Sequence, residues 1–95
     1  MVERETQREH RINQHYMDVL RGAIAEAGLT RKEVEEIAGY APGSLVRWLA
    51  NKQIMRAPVF TVIAVAIGAD VAELTARAMA KIKAAGVLDE FPAGR

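Results

Sequence analysis

Residues 39–53, GYAPGSLVRWLANKQ, set a proline and a glycine directly ahead of a run with helical period. Leu45, Trp48 and Leu49 recur at the spacing of one helix face, and Arg47 falls on the other side. The spacing predicts a helix over residues 41–50. Pro42 would be its first residue, where a missing N–H costs nothing. Gly39 supplies the positive φ of a tight turn without a Cβ clash.

Upstream, Thr30 and Glu33 have the T-x-x-E spacing of a capping box. They open a short helix expected to turn Val34, Ile37 and Ala38 inward and to stop at Gly39. Two short helices joined by a tight glycine-containing turn are the helix-turn-helix pattern. Before them, Ile12, Tyr16, Leu20, Ala23, Ile24 and Ala27 follow the 3.6-residue period, with Gly28 as the stop. Residues 1–11 then form a charged N-terminal arm or an extension of that helix. Downstream, PVFTVIAVAIG (58–68) is rich in β-branched residues. Pro58 nevertheless fits a first helical position, Gly68 fits a stop, and no second strand is available to pair with it. A central helix, apolar nearly all round because its neighbours cover most of it, is expected there. Asp70 and Glu73 cap a last helix marked by Val71, Leu74, Ala78, Ile82 and Ala85 and closed by Gly86. The expected fold is all-α, a five-helix domain over residues 12–86. A tail over 87–95 carries Val87, Leu88 and Phe91, which fold back on the body or pack on a partner.

Ninety-five residues suffice for one small domain. The absence of cysteine excludes disulfides, thiolate zinc sites and a cysteine nucleophile, and suits a cytoplasmic protein. The charged start MVERETQREHRINQ lacks the apolar core of a signal peptide, and the apolar run 57–69 is too short to span a bilayer. No membrane partner is expected. Net charge is only +1, but residues 37–69 contain no Asp or Glu while holding Arg47, Lys52 and Arg56. Such a local basic face suits phosphate, because the attraction acts within about 8–10 Å. Catalysis finds no support. His10 and His15 lie about 140° apart around a helix and lack a third ligand. Glu33, Glu35 and Glu36 read as a solvated charge run rather than an acid–base pair. Neither a cofactor nor enzymatic activity is expected.

The order of these parts from Tyr16 to Thr75 resembles the phage-repressor and Cro type (lambda-repressor-like) helix-turn-helix domain. LRGAIAEAGLTRKEV is similar to the family's first helix, glycine and capped second helix. Gly39 matches the turn glycine, Leu45 the residue that locks the recognition helix, and Trp48 the next inward position. Asn51 stands where the family ends that helix with glycine, and asparagine is the next best residue for the left-handed conformation. PVFTVIAVAIGADVAELT resembles the family's closing helices. There are two departures. Glu35 stands where the family has a small residue at the helix contact, so its carboxylate is expected to snorkel outward or to pair with Arg31. Ala41, Pro42 and Gly43 replace the polar residues that usually open the recognition helix.

The resemblance implies a sequence-specific DNA-binding regulator, probing the major groove of double-stranded DNA with helix 41–50 as a repressor of phage or prophage type. With Leu45, Trp48 and Leu49 in the core, Gly43, Ser44, Val46 and Arg47 are left to read bases. Arg47 suits guanine, a contact that discriminates by about 1–3 kcal/mol. The helix N-terminus favours a phosphate. Thr30, Arg31, Lys32, Asn51, Lys52, Gln53 and Arg56 are the expected phosphate contacts, which position without specifying. Arg4, Arg8 and Arg11 add an N-terminal contribution. A homodimer is expected through the last helix and tail, using Val71, Leu74, Ala78, Ile82, Leu88 and Phe91. The alternative is a protein-interaction module on the same fold, an antirepressor or antitoxin-like partner binder, which the sparse reading face and weak net charge favour.

Overall fold

The computed structural model describes residues 2–89 and 91, with side-chain surroundings from Gln7 onward. Five helices and no strand occur among them: α1 (Val2–Glu26), α2 (Arg31–Ala38), α3 (Ser44–Leu49), α4 (Ala57–Ala66) and α5 (Val71–Ala84). The two long helices, α1 and α5, pack on each other; α3 packs on α1, α4 on α5, and α2 on α3 and α4. The β-branched stretch is therefore helical, and residues 2–11 extend α1 rather than forming a separate arm. Arg4 has its side chain outside the described residues.

The core is one apolar cluster. Met17, Leu20 and Ile24 of α1 meet Val34 of α2, Leu45 and Leu49 of α3, Phe60 and Ile63 of α4, and Leu74 and Ala78 of α5. Trp48 is half-buried and packs edge-on against Tyr40, ring centroids 5.2 Å apart. Tyr16 meets Phe60 in the same way at 5.5 Å. Val87 is buried beyond α5, so the start of the tail does fold back.

Three packing expectations need correction. On α2 the inward residues are Val34 and Glu35, whereas Ile37 is 57% exposed. Residue 37 sits on the far side of the turn from residue 35, and the carboxylate of Glu35 has claimed the inner side. Helix α4 is not covered all round, because Val62 and Val65 are 42% and 66% exposed. On α5, Leu74, Ala78 and Ile82 are at most 3% exposed and belong to the core, so they cannot form a dimer surface. Of the six residues expected there, only Val71, Leu88 and Phe91 are not buried.

Candidate nucleic-acid interface

The turn between α2 and α3 decides what α3 can present. Gly39 ends α2 at φ +81, with its N–H and that of Tyr40 both donating to the Glu35 carbonyl at 2.9 Å. Ala41–Ser44 then form a type II turn. Pro42 is its second residue, Gly43 its third at φ +88 and ψ −11, and the Ser44 N–H donates to the Ala41 carbonyl at 3.2 Å. Helix α3 consequently starts at Ser44 rather than at residue 41, and Pro42 belongs to the turn. Proline satisfies both positions equally, because each needs φ near −65° and no N–H.

This late start changes the reading face. Ser44 is 7% exposed, and its hydroxyl donates back to the Ala41 carbonyl at 2.6 Å, so it does not face outward. Gly43 is half-buried. Val46 and Arg47 are exposed and remain the outward residues of α3. Nor are the N–H groups of Gly43, Ser44 and Leu45 open to a phosphate. Oε2 of Glu35 accepts the N–H groups of Gly43 and Leu45, both at 3.0 Å. Glu35, 6% exposed, neither snorkels nor pairs with Arg31. It serves as the cap that α3 lacks in its own sequence, since the N-cap residue is a glycine without a side chain.

The other end of α3 is tied to α1. Asn51 adopts φ +60, the left-handed stop expected of it. The N–H of Lys52 donates to the Arg47 carbonyl at 3.2 Å, which brings these two cations into one turn. The side chain of Asn51, however, is turned away from any phosphate. Its Oδ1 accepts from Asn13 Nδ2 at 2.7 Å and faces His10 Nδ1 at 3.3 Å. Its Nδ2 donates to the His10 carbonyl at 2.9 Å and to Gln14 Oε1 at 3.3 Å. Asn13 in turn accepts the Met55 N–H at 3.2 Å. Asn51 is an anchor, not a contact residue. Arg21 adds a second tie, donating through Nη2 to the Leu49 carbonyl at 2.6 Å.

The remaining expected phosphate contacts are all exposed: Thr30, Arg31 and Lys32 at the start of α2, Lys52 and Gln53 after α3, and Arg56 before α4. Among the described residues none of Arg31, Lys32, Arg47, Lys52 and Arg56 has a carboxylate partner, whereas Arg21 pairs with Asp18 and Arg77 with Glu73. Thr30 and Glu33 form the full capping box, at 3.1 and 2.9 Å. The backbone N–H of Thr30, and secondarily its side chain, hold the Glu33 carboxyl below its ordinary value of 4.5. Arg8 lies over the Phe91 ring, 5.1 Å from its centroid, and Arg11 is exposed.

Glu35, Arg21, Asn13 and His10 were not legible as parts of this interface. One signal was available. A helix opening with Ala-Pro-Gly has no side-chain cap, so its buried donors must find an acceptor elsewhere. Among the described residues no three His, Cys, Asp or Glu side chains converge as metal ligands, and no helix is long and apolar enough to cross a membrane. No known protein family, curated protein or solved structure matches this chain.

Proposed function

We propose that this chain is a sequence-specific DNA-binding regulator of transcription, a cytoplasmic repressor of phage or prophage type. In this reading α2, the turn 39–43 and α3 are the helix-turn-helix of a lambda-repressor-like bundle, and α3 enters the major groove. The observation that carries it is the exposed set Arg31 and Lys32 at the start of α2, Arg47 on α3, and Lys52 and Arg56 after it, none with a carboxylate partner among the described residues, within a near-neutral chain. Five exposed cations without carboxylate partners along the helix-turn-helix segment, on a molecule of net charge +1, suit a local anionic partner. Arg47 supplies most of the base reading, Val46 meets a thymine methyl, and phosphate contacts supply most of the affinity.

Binding to a random-sequence duplex, titrated with salt, tests this. Affinity should fall steeply, and Lys52→Ala or Arg31→Ala should each lower the slope by about one unit. Arg47→Ala should relax preference at one base position. An absence of duplex binding at low salt removes the proposal and leaves the protein-interaction module. The latter is favoured by the exposed Ile37, Val62 and Val65, which line an uncharged groove with Ala38, Thr61 and Ala66.

DNA reading by so small a face calls for two copies. With the α5 positions buried, the homodimer contact is proposed for that same α2/α4 groove. An uncharged face can meet itself across a two-fold axis without setting like charges together.

A further inference from the structure

Helix α3 is only six residues long, Ser44–Leu49. A helix of fewer than two turns does not hold its form alone, because nucleation outweighs what so few hydrogen bonds return. Every residue of α3 therefore lies within about one turn of an end. Whatever fixes the two ends fixes the direction in which Arg47 points.

Both ends are held by charged side chains from other helices, and the signs match the helix dipole. The negative Glu35 of α2 sits at the positive end, taking the Gly43 and Leu45 N–H groups at 3.0 Å each. The positive Arg21 of α1 sits at the negative end, its Nη2 on the Leu49 carbonyl at 2.6 Å. Asp18 steadies that guanidinium from the same helix, 3.1 Å from Nη1. Glu35 is enclosed by the fold, whereas the Arg21 side chain is 44% exposed. The clamp is thus strong at the start of α3 and wetter at its end.

We propose that Glu35 and Arg21 are positioning residues for DNA reading: they set the pose of the outward face of α3 without touching DNA. This rests on the DNA-binding reading above. It assigns Arg21, a cation in the neighbourhood of the interface, to the protein's interior work rather than to phosphate. It also gives Glu35, an acidic side chain next to a surface that binds an anion, a reason to be there. Loss of either clamp loosens the specific contacts of α3 while the phosphate contacts on α2 and the α3–α4 loop persist.

The experiment uses the full chain and the variants Glu35→Ala, Glu35→Gln, Arg21→Ala and Arg47→Ala. Amide hydrogen exchange is followed by NMR without DNA. Binding is measured to a site selected from a random pool and to random duplex, across a salt series. Glu35→Ala and Arg21→Ala should each speed exchange at Trp48, Leu49 and Ala50 relative to the α5 amides, an opening confined to one element. Each should narrow the preference for the selected site by about tenfold, within what one bidentate base contact carries. Their salt slopes should match that of the parent. Glu35→Gln keeps an acceptor oxygen and should recover most of the discrimination, and Arg21→Ala carries the test should Glu35→Ala fail to fold.

Unchanged discrimination in Arg21→Ala together with parent-like α3 exchange in that variant overturns the proposal while leaving DNA binding intact. A salt slope lowered by about one unit in Arg21→Ala overturns it too, because Arg21 would then be a phosphate contact. No duplex binding by the parent chain overturns the DNA reading, and the positioning role falls with it.

Discussion

Asn51 shows how much one side chain does at a junction. It has the left-handed conformation that a glycine would adopt freely, yet it also makes contacts to three α1 residues that glycine cannot. Asn51→Gly should therefore destabilise the protein even though it relieves the backbone. Asn13, 4% exposed, would lose the acceptor for its amide, and a buried donor left unpaired costs about 1–3 kcal/mol. Urea unfolding should show that loss with an unchanged slope, and a neutral or stabilising result would mean that backbone strain at residue 51 outweighs its bonds. Glu33 gives a second prediction, in pH. Its carboxyl is held below 4.5 in the folded chain, so its contribution is present above that value and is lost as pH falls through the lower, folded one. Glu33→Gln should shed part of the drop in melting temperature between about pH 6 and about pH 3. Equal drops in parent and variant would leave the capping box without a role in acid stability.

At the level of elements, the α2–α3 turn is the place where pattern and structure part. The periods of α1 and α5 were legible because long runs carry many repeats of the signal, α4 was legible from Pro58 and Gly68 at its ends against a strand-like composition, and all three helices form. Thr30 and Asp70 were legible as caps because a cap is a local arrangement; Thr30 completes its box and Asp70 accepts the Glu73 N–H at 3.1 Å. The start of α3 was not legible. Pro42 suits a helix N-terminus and a type II turn alike, and the acceptor that decides between them comes from Glu35, brought in by tertiary packing. For the same reason the outward role of Ser44 was misread, and that of Arg47, fixed by period alone, was not. The turn itself can be tested at Gly43. A Cβ there would meet nothing within 4 Å, so the cost of Gly43→Ala is the backbone at φ +88 alone, about 1–2 kcal/mol. Thermal unfolding measures it. A smaller change would mean that the turn has relaxed, which a shift of the Leu45 amide signal would reveal.

At the scale of the whole molecule, one groove between α2 and α4 is lined by Ile37, Ala38, Thr61, Val62, Val65 and Ala66 and by no charged residue. A groove with exposed Val62 and Val65 and no charge in its lining suits an apolar contact. If the contact is a second copy, one substitution should separate assembly from fold. Val65 is 66% exposed, so Val65→Lys should change the stability of the single chain by no more than about 0.5 kcal/mol. In a two-fold contact the same change introduces two like charges at once and strips water from both. Sedimentation equilibrium should show the parent as a dimer and Val65→Lys as a monomer, with equal helical circular dichroism. On DNA, the parent should prefer paired half-sites about 34 Å apart, and the variant should bind a single half-site with the salt slope the parent shows on that same half-site while losing the preference for pairs. A parent that stays monomeric at the concentrations where it binds paired sites would place the contact elsewhere. The uncharged groove would then be free for a different protein, and the interaction-module reading would gain the surface that the homodimer gave up.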